Sequence, residues 1–249
     1  MNTEEHRFDD ELEEHRFDDE LEEHRFDDPS ALVEALVLSA TETLGQAISE
    51  RGVASLVVSG GSTPKPFFEA LRRAPLDWPR VSVTLADERW VAPDLPESNE
   101  ALVRSTLLQG DAAQARFLGH KNGAASAVEG APECARRLGA WPRPFDLVVL
   151  GMGDDGHTAS LFPDAPELPL ALSATAPLCL ATTPASAAQA RISLSLAALL
   201  QTRRIVVHIV GDRKWRVLQA ARETGRVEDM PVRAVLGQGV VPVQVYWAP

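Results

Sequence analysis

FDLVVLGMGDDGHTASLFP, residues 145–163, is the stretch on which the fold class turns. Residues 145–150 form a short, continuous apolar run rich in valine and leucine, as expected of a strand covered on both faces in a parallel sheet. The run enters a turn in which Gly151, Gly153 and Gly156 allow sharp bends or close approach to a ligand. Ligands in open α/β sheets collect at the carboxyl ends of such strands. His157, preceded by Asp154 and Asp155, is therefore the leading catalytic candidate.

The same string fits G-x-G-x-x-G, the dinucleotide fingerprint, which also needs a long following helix and an acidic residue closing a second strand about 20 residues on. Pro163 and Pro166 interrupt the segment early, and the next strand candidate, 178–182, carries no acid at its end. Nicotinamide or flavin binding is not expected, and no cofactor is called for. A structural histidine in an ordinary loop remains the competing reading of His157.

A chain of 249 residues with 45% apolar residues can bury one substantial core. It has no run of about 18 apolar residues, so no membrane-spanning helix is expected. An acidic start gives no sign of a secretory peptide, and Cys134 and Cys179 make no disulfide framework, which points to a reducing cytoplasm. The net charge of −12 argues against nucleic acid and anionic membranes, leaving a small molecule as the expected partner.

Much of that charge comes from one feature. Residues 4–28 read EEHRFDDEL twice and then EEHRFDD, and each full unit carries five acids and one arginine. The two extra copies thus account for −8 of the −12, and the body is only mildly acidic. His6, His15 and His24 are nine residues apart, so successive copies face opposite ways on a helix or a strand and cannot share a metal there. The repeat reads as a duplicated start in which only the last unit can pair with the fold. Residues 1–21 are then an extension, disordered or loosely attached, and 22–249 a single α/β domain.

Further along, Asp28-Pro29-Ser30 opens a helix whose apolar residues Leu32, Leu36, Ala40, Leu44 and Ile48 keep helical spacing up to Gly52. Strands are expected at 53–58, 81–86, 145–150, 178–182, 204–210 and 243–247, with a short one at 117–118. Helical stretches lie between them. This alternation means an α/β, Rossmann-like layered fold with a mainly parallel central sheet flanked by helices.

Three other strand ends carry candidate groups. Ser59-Gly60-Gly61-Ser62-Thr63-Pro64 leads into a helix and offers free backbone N–H groups and hydroxyls to a phosphate, with Pro64 expected at the first helical position. A plain tight turn is the alternative. Asp87-Glu88-Arg89-Trp90 puts three charges where a sheet presents ligand groups, and an arginine there binds an anion bidentately or stabilises an oxyanion. A solvated loop ion pair would look the same. Gly211-Asp212-Arg213-Lys214-Trp215 brings one of only three lysines, against 21 arginines, to a strand end, although a lysine on a helix surface is equally compatible.

Taken in order, SGGSTP, DERW, GMGDDGHTASLFP and GDRKW closely resemble the 6-phosphogluconolactonase family, the type related to glucosamine-6-phosphate deaminases. The resemblance runs from Leu32 to the C-terminus and includes SNEALVR after DERWVAP, and PVRAVL at Pro231. It implies hydrolysis of a sugar-phosphate lactone by the residue at His157, which takes a proton from water, histidine being the side chain that ordinarily titrates near neutrality. Asp155 is placed to orient the imidazole, with the choice between the two neighbouring acids open. The resemblance further implies that Arg89 stabilises developing charge or holds the substrate. Gly60, Gly61, Ser62, Thr63 and Lys214 would hold the 6-phosphate, and Asp87 and Asn99 would contact sugar hydroxyls. No metal is expected, and the chain would act as a monomer or small homo-oligomer. The related deaminases typically read MDEY where Asp87 begins and GHIAFNEP where this chain has GHTASLFP, so Phe162-Pro163 replaces the segment that supplies their glutamate. A non-catalytic sugar-phosphate sensor is the third possibility. Such sensors usually carry a helix-turn-helix domain, and none fits before Pro29.

Overall fold

The computed structural model describes residues 21–249. The expectations for residues 1–20, including those for His6 and His15, lie outside the described residues. The third copy of the repeat supplies the first strand, β1 (Glu22–Arg25), and the helix start that follows it. Asp28 caps α1 (Pro29–Arg51), its Oδ1 accepting from the N–H groups of Ser30 and Ala31 at 2.7 and 2.9 Å. Proline at the first turn costs nothing because that N–H has no intrahelical partner. Gly52 closes the helix in the left-handed region, φ 77°, its N–H bonding Ile48 O at 2.8 Å. By length and hydropathy α1 could cross a membrane, yet Leu32, Leu36, Ala40, Leu44 and Ala47 on one side of it are buried in the core. Each such leucine contributes about 1.5–3 kcal/mol by leaving water.

The chain then alternates strands and helices as expected: β2 (Ala54–Val58), α2 (Lys65–Leu71) and β3 (Val81–Leu85). Next come β4 (Asp87–Arg89), α3 (Asn99–Thr106), β5 (Arg116–Leu118), α4 (Ala127–Gly139) and β6 (Leu147–Leu150). The remainder is α5 (Leu168–Leu172), β7 (Cys179–Thr182), β8 (Arg191–Leu194), α6 (Leu196–Leu199), β9 (Ile205–Val210), α7 (Asp212–Arg222), α8 (Arg233–Leu236) and β10 (Val243–Ala248). Seven strands form one all-parallel sheet in the order β1-β10-β9-β6-β2-β3-β5. Its strands are apolar on both faces because two cores sandwich the sheet, one containing Leu56, Val83 and Val149, the other Val57, Val148 and Val207. From β2 the chain builds outward to β3 and β5; from β6, on the other side of β2, it builds to β9 and β10. The order in which strands are added reverses between β2 and β6, and crevices at such switch points are where ligands bind in this architecture.

Three expectations need correction. The 178–182 strand is not part of the parallel sheet: β7 joins β8 and β4 in a separate antiparallel sheet of three. β8 lies outside the expected strands, and it pairs with Asp87–Arg89, an edge strand of that sheet, against the alternative reading of a solvated loop. Pro64 precedes the helix rather than opening it, since α2 begins at Lys65.

Two histidines lie inside this scaffold. His120 is wholly buried and His208, on β9, nearly so, and among the described residues neither ring has a well-formed hydrogen-bond partner. Burial lowers both pKa values to about 4, opposed at His120 by the charge of Asp87. An unfolded chain takes up those protons near pH 6.5, before the native protein does. Their neutral burial is therefore fully compatible with stability above pH 6.5, and stability falls as the pH drops from there towards 4. Each histidine is expected to cost about 2–3 kcal/mol by pH 4.5. Urea midpoints at pH 7 and 4.5 check this. His120→Leu or His208→Leu should flatten the acid limb, and an unchanged pH slope in both would contradict it.

Candidate active site

The loops after β2, β3, β6 and β9 all leave the sheet at its carboxyl end, and between them lies a cavity of about 290 Å³. That is near the lower bound for small-ligand sites. Gly60, Gly61, Ser62, Thr63, Asp87, Arg89, Asn99, His157 and Lys214 all line it. Asp155 does not, because it stands behind His157. Its Oδ1 lies 2.5 Å from His157 Nδ1 and also accepts from the His157 backbone N–H at 3.1 Å. A carboxylate on Nδ1 places a proton there and leaves Nε2 as the open position of the ring. Burial alone would raise the Asp155 pKa, but the hydrogen bond and charge of His157 outweigh it and hold the carboxyl below its ordinary value.

The two neighbouring acids diverge. Asp154 turns to Lys214 Nζ, 2.7 Å away, and to Arg213 at 2.9 Å. The Lys214 hydrogen bond, outweighing a burial cost and joined by the charges of both cations, keeps Asp154 below the usual carboxylate range. Asp155 alone orients the imidazole, and Asp154 sets the position of the cavity lysine. Among the described residues no three metal-ligating side chains come together.

The imidazole is covered on one face and the turn that carries it is fixed by hydrogen bonds. Phe162 stacks on it at 3.9 Å between centroids, Gly153 N donates to His157 O at 2.8 Å, and Thr158 Oγ1 donates to Gly151 O at 2.8 Å. Gly153 is required by contact: a Cβ there would sit 2.1 Å from His157 Nδ1 and 2.5 Å from Asp155 Oδ1. Gly151 has open space at its Cβ position and a negative φ, so the turn does not depend on it as the sequence suggested. Ala159, also lining the cavity, has φ 48°, a conformation that costs an alanine about 1–2 kcal/mol.

Across the cavity, none of the backbone N–H groups of Gly60, Gly61, Ser62 and Thr63 donates a hydrogen bond to a described residue. Consecutive free amides of this kind form a concavity for anions. The turn is pressed against Asn99, whose Oδ1 would lie 1.9 Å from a Cβ on Gly60. Asn99 in turn donates from Nδ2 to Asp87 O at 2.8 Å and accepts from Arg89 at 2.9 Å. Arg89 is further tied to Glu97 O at 2.7 Å, and Asp87 Oδ2 accepts from Ser160 Oγ at 2.5 Å.

Glu88 is the charged member of DERW that does not face the cavity. It points inward, accepting from Ser98 Oγ and from the backbone N–H groups of Arg89, Asn99 and Glu100 at 2.8–2.9 Å. Burial raises its pKa, those donors pulling the other way. It fixes the start of α3 and thereby Asn99, and a carboxylate suits the positive end of that helix. Two titratable cavity residues were missed. His208 lies in the middle of β9, where an isolated histidine in an apolar run gives no sign of facing a site. Arg191 begins β8, and its only signal is a lone arginine before the alternating ISLS of an unanticipated strand.

Comparison with known proteins agrees with this arrangement. The family model described as glucosamine-6-phosphate isomerases/6-phosphogluconolactonase matches residues 27–247. A 6-phosphogluconolactonase of Rhizobium meliloti is 45% identical over 222 residues, 89% of this chain and 96% of the relative. One from Pseudomonas aeruginosa is 45% identical over 83% of this chain and 86% of its own length. The crystal structure of a 6-phosphogluconolactonase from Shewanella baltica superimposes with a TM-score of 0.91 at 49% identity, covering 93% of this chain and 99% of that one.

Proposed function

The chain belongs to the glucosamine-6-phosphate isomerase/6-phosphogluconolactonase family, and we propose that it hydrolyses 6-phospho-D-glucono-1,5-lactone to 6-phospho-D-gluconate, a step of the oxidative pentose phosphate pathway. One observation carries the site assignment: His157, backed by Asp155, and the amides of Gly60–Thr63, which bond no described residue, face the same cavity.

In this reading the 6-phosphate rests on the Gly60–Thr63 turn and Lys214, which fixes the distant lactone carbonyl beside His157. Binding a remote group in this way converts binding energy into alignment at the reacting carbon. Water adds to C1 as His157 Nε2 takes its proton, and Asp155 stabilises the imidazolium that forms. Arg89 offsets the negative charge on the carbonyl oxygen. Collapse of the tetrahedral species breaks the bond from C1 to the ring oxygen, which leaves as the C5 hydroxyl with the proton from His157. The carboxylic acid then releases one proton to solvent. Asp87 and Asn99 hold sugar hydroxyls. No cofactor takes part. The setting is cytoplasmic, in keeping with free, buried Cys134 and Cys179, and the enzyme is a monomer or small homo-oligomer acting on a small molecule rather than on nucleic acid or membrane.

The test follows fresh lactone with an excess of a coupling dehydrogenase that oxidises the product. The lactone should disappear faster than by spontaneous hydrolysis, and Arg89→Ala should lower the enzymatic rate at least about tenfold, the effect of one lost charge-assisted hydrogen bond. No rate above the spontaneous one, together with ammonia release from glucosamine 6-phosphate, would overturn the reading in favour of a deaminase.

A further inference from the structure

Arg191 is the cation that the cavity leaves unused. Its side chain is only 12% exposed, yet its guanidinium donates no hydrogen bond to any described residue, and Nε is fully covered without a partner. The nearest carboxylate oxygen, Asp87 Oδ2, is 3.9 Å away and already accepts from Ser160. The guanidinium instead lies 4.9 Å over the ring of Phe162, the same ring on which His157 stacks. A guanidinium this far from bulk water, with Nε covered and without an acceptor and the rest of its fork turned to the cavity, is costly to fold around.

The pairing of the strands adds to that cost. β4 and β8 are antiparallel, and Arg89 is the direct partner of Arg191. Like charges directly opposite each other on a sheet destabilise it. Both side chains turn into the cavity. Arg89 is already committed to Glu97 O and Asn99 Oδ1, whereas Arg191 has its whole fork free. A second anion-binding centre, apart from the amides of Gly60–Thr63 and next to the imidazole, accounts for both features.

The geometry points to Arg191 as a catalytic residue that binds the C1 end of the substrate: it takes the carbonyl oxygen as it becomes an oxyanion, then the product carboxylate, with Arg89 as the fixed second arm. This rests on the hydrolase reading above. A guanidinium fork matches a carboxylate bidentately, which an ammonium cannot do.

Two ligands that differ only at C1 test it: 6-phosphogluconate, with a carboxylate, and glucitol 6-phosphate, with a hydroxymethyl group. Their affinities for the unaltered protein, Arg191→Gln and Arg191→Lys are measured by calorimetry, with thermal melts as the check on folding. Arg191→Gln should weaken 6-phosphogluconate about 10- to 100-fold and leave glucitol 6-phosphate within about twofold. Arg191→Lys keeps the charge and the aliphatic stem, and should show a several-fold loss for the carboxylate ligand alone, which decides the matter if the glutamine variant does not fold. In turnover, kcat should fall with KM little changed, the mark of an interaction made in the transition state. Equal weakening of both ligands, or of neither, would overturn the assignment. An unaltered protein that fails to turn over the lactone would sink the hydrolase reading but leave the ligand comparison valid as a test of the anion site.

Discussion

His157→Ala is expected to lower kcat for the phosphorylated lactone by about 10²–10⁴, the range ordinarily lost with a positioned general base. The expectation rests on geometry. Asp155 occupies Nδ1 at 2.5 Å, and among the described residues nothing occupies Nε2, so the ring has one committed nitrogen and one available to water. Substrate affinity should change little, because the phosphate contacts proposed for Gly60–Thr63 and Lys214 lie outside the lost side chain. Asp155→Asn should fall between the unaltered enzyme and His157→Ala: the amide still positions the ring but no longer stabilises its charged form. Since spontaneous hydrolysis sets a floor, the comparison requires initial rates at several enzyme concentrations. A His157→Ala rate within threefold of the unaltered enzyme would remove the imidazole from the chemistry.

Gly153→Ala is expected to be nearly as damaging, although it adds a single methyl group and removes no functional one. The new Cβ would fall 2.1 Å from His157 Nδ1, 2.2 Å from Cε1 and 2.5 Å from Asp155 Oδ1. These are impossible separations, and because Phe162 covers one face of the imidazole its retreat is outward, away from Asp155 and towards solvent. The ring must rotate out of its bond with Asp155, and misplacing a reacting group by about 1 Å costs on the order of 10²-fold in rate. Stability should suffer far less, since His157 and Asp155 are both partly exposed and can move into solvent. The control is Gly151→Ala, where a Cβ meets no atom within 4 Å and φ is negative; it should retain nearly full activity. Equal losses in the two variants would mean that the turn backbone, and not the contact with the imidazole, governs activity.

The central sheet was readable because its strands are buried on both faces. Leu147–Leu150 and Ile205–Val210 are apolar runs followed by glycine, and a both-sided burial pattern needs no partner to be recognised. The edge was not readable. β1 consists of Glu22, Glu23, His24 and Arg25, and it is a strand only because β10 pairs with it, Arg222 meets Glu23, Gln244 donates to Glu22 at 2.7 Å and Arg25 lies over Trp215. Those contacts bridge about 200 residues of chain and leave no local periodicity. The small antiparallel sheet was hidden for a related reason. β4 spans only three residues directly after β3, and β8 is four residues long and follows an alanine-rich loop, TPASAAQA, without a glycine next to the strand.

At the site, residue types were legible and their division of labour was not. GDDGH shows two acids before a histidine, but only the fold sends Asp154 to Lys214 and Asp155 to His157. DERW shows three charges, but only the fold turns Glu88 inward to hold α3 while Asp87 and Arg89 face the cavity. Arg191 is the clearest case. Its importance comes from standing opposite Arg89 in a strand pair separated by about a hundred residues, which no local motif encodes.

The orientation of the bound sugar acid tests the whole account most directly. A crystal structure of the protein with 6-phosphogluconate should place the phosphate against the amides of Gly60–Thr63 and Lys214 Nζ, and the C1 carboxylate between His157 and the Arg89–Arg191 pair. A phosphate seated on the two arginines with C1 turned away from His157, or a ligand bound outside this cavity, would contradict it.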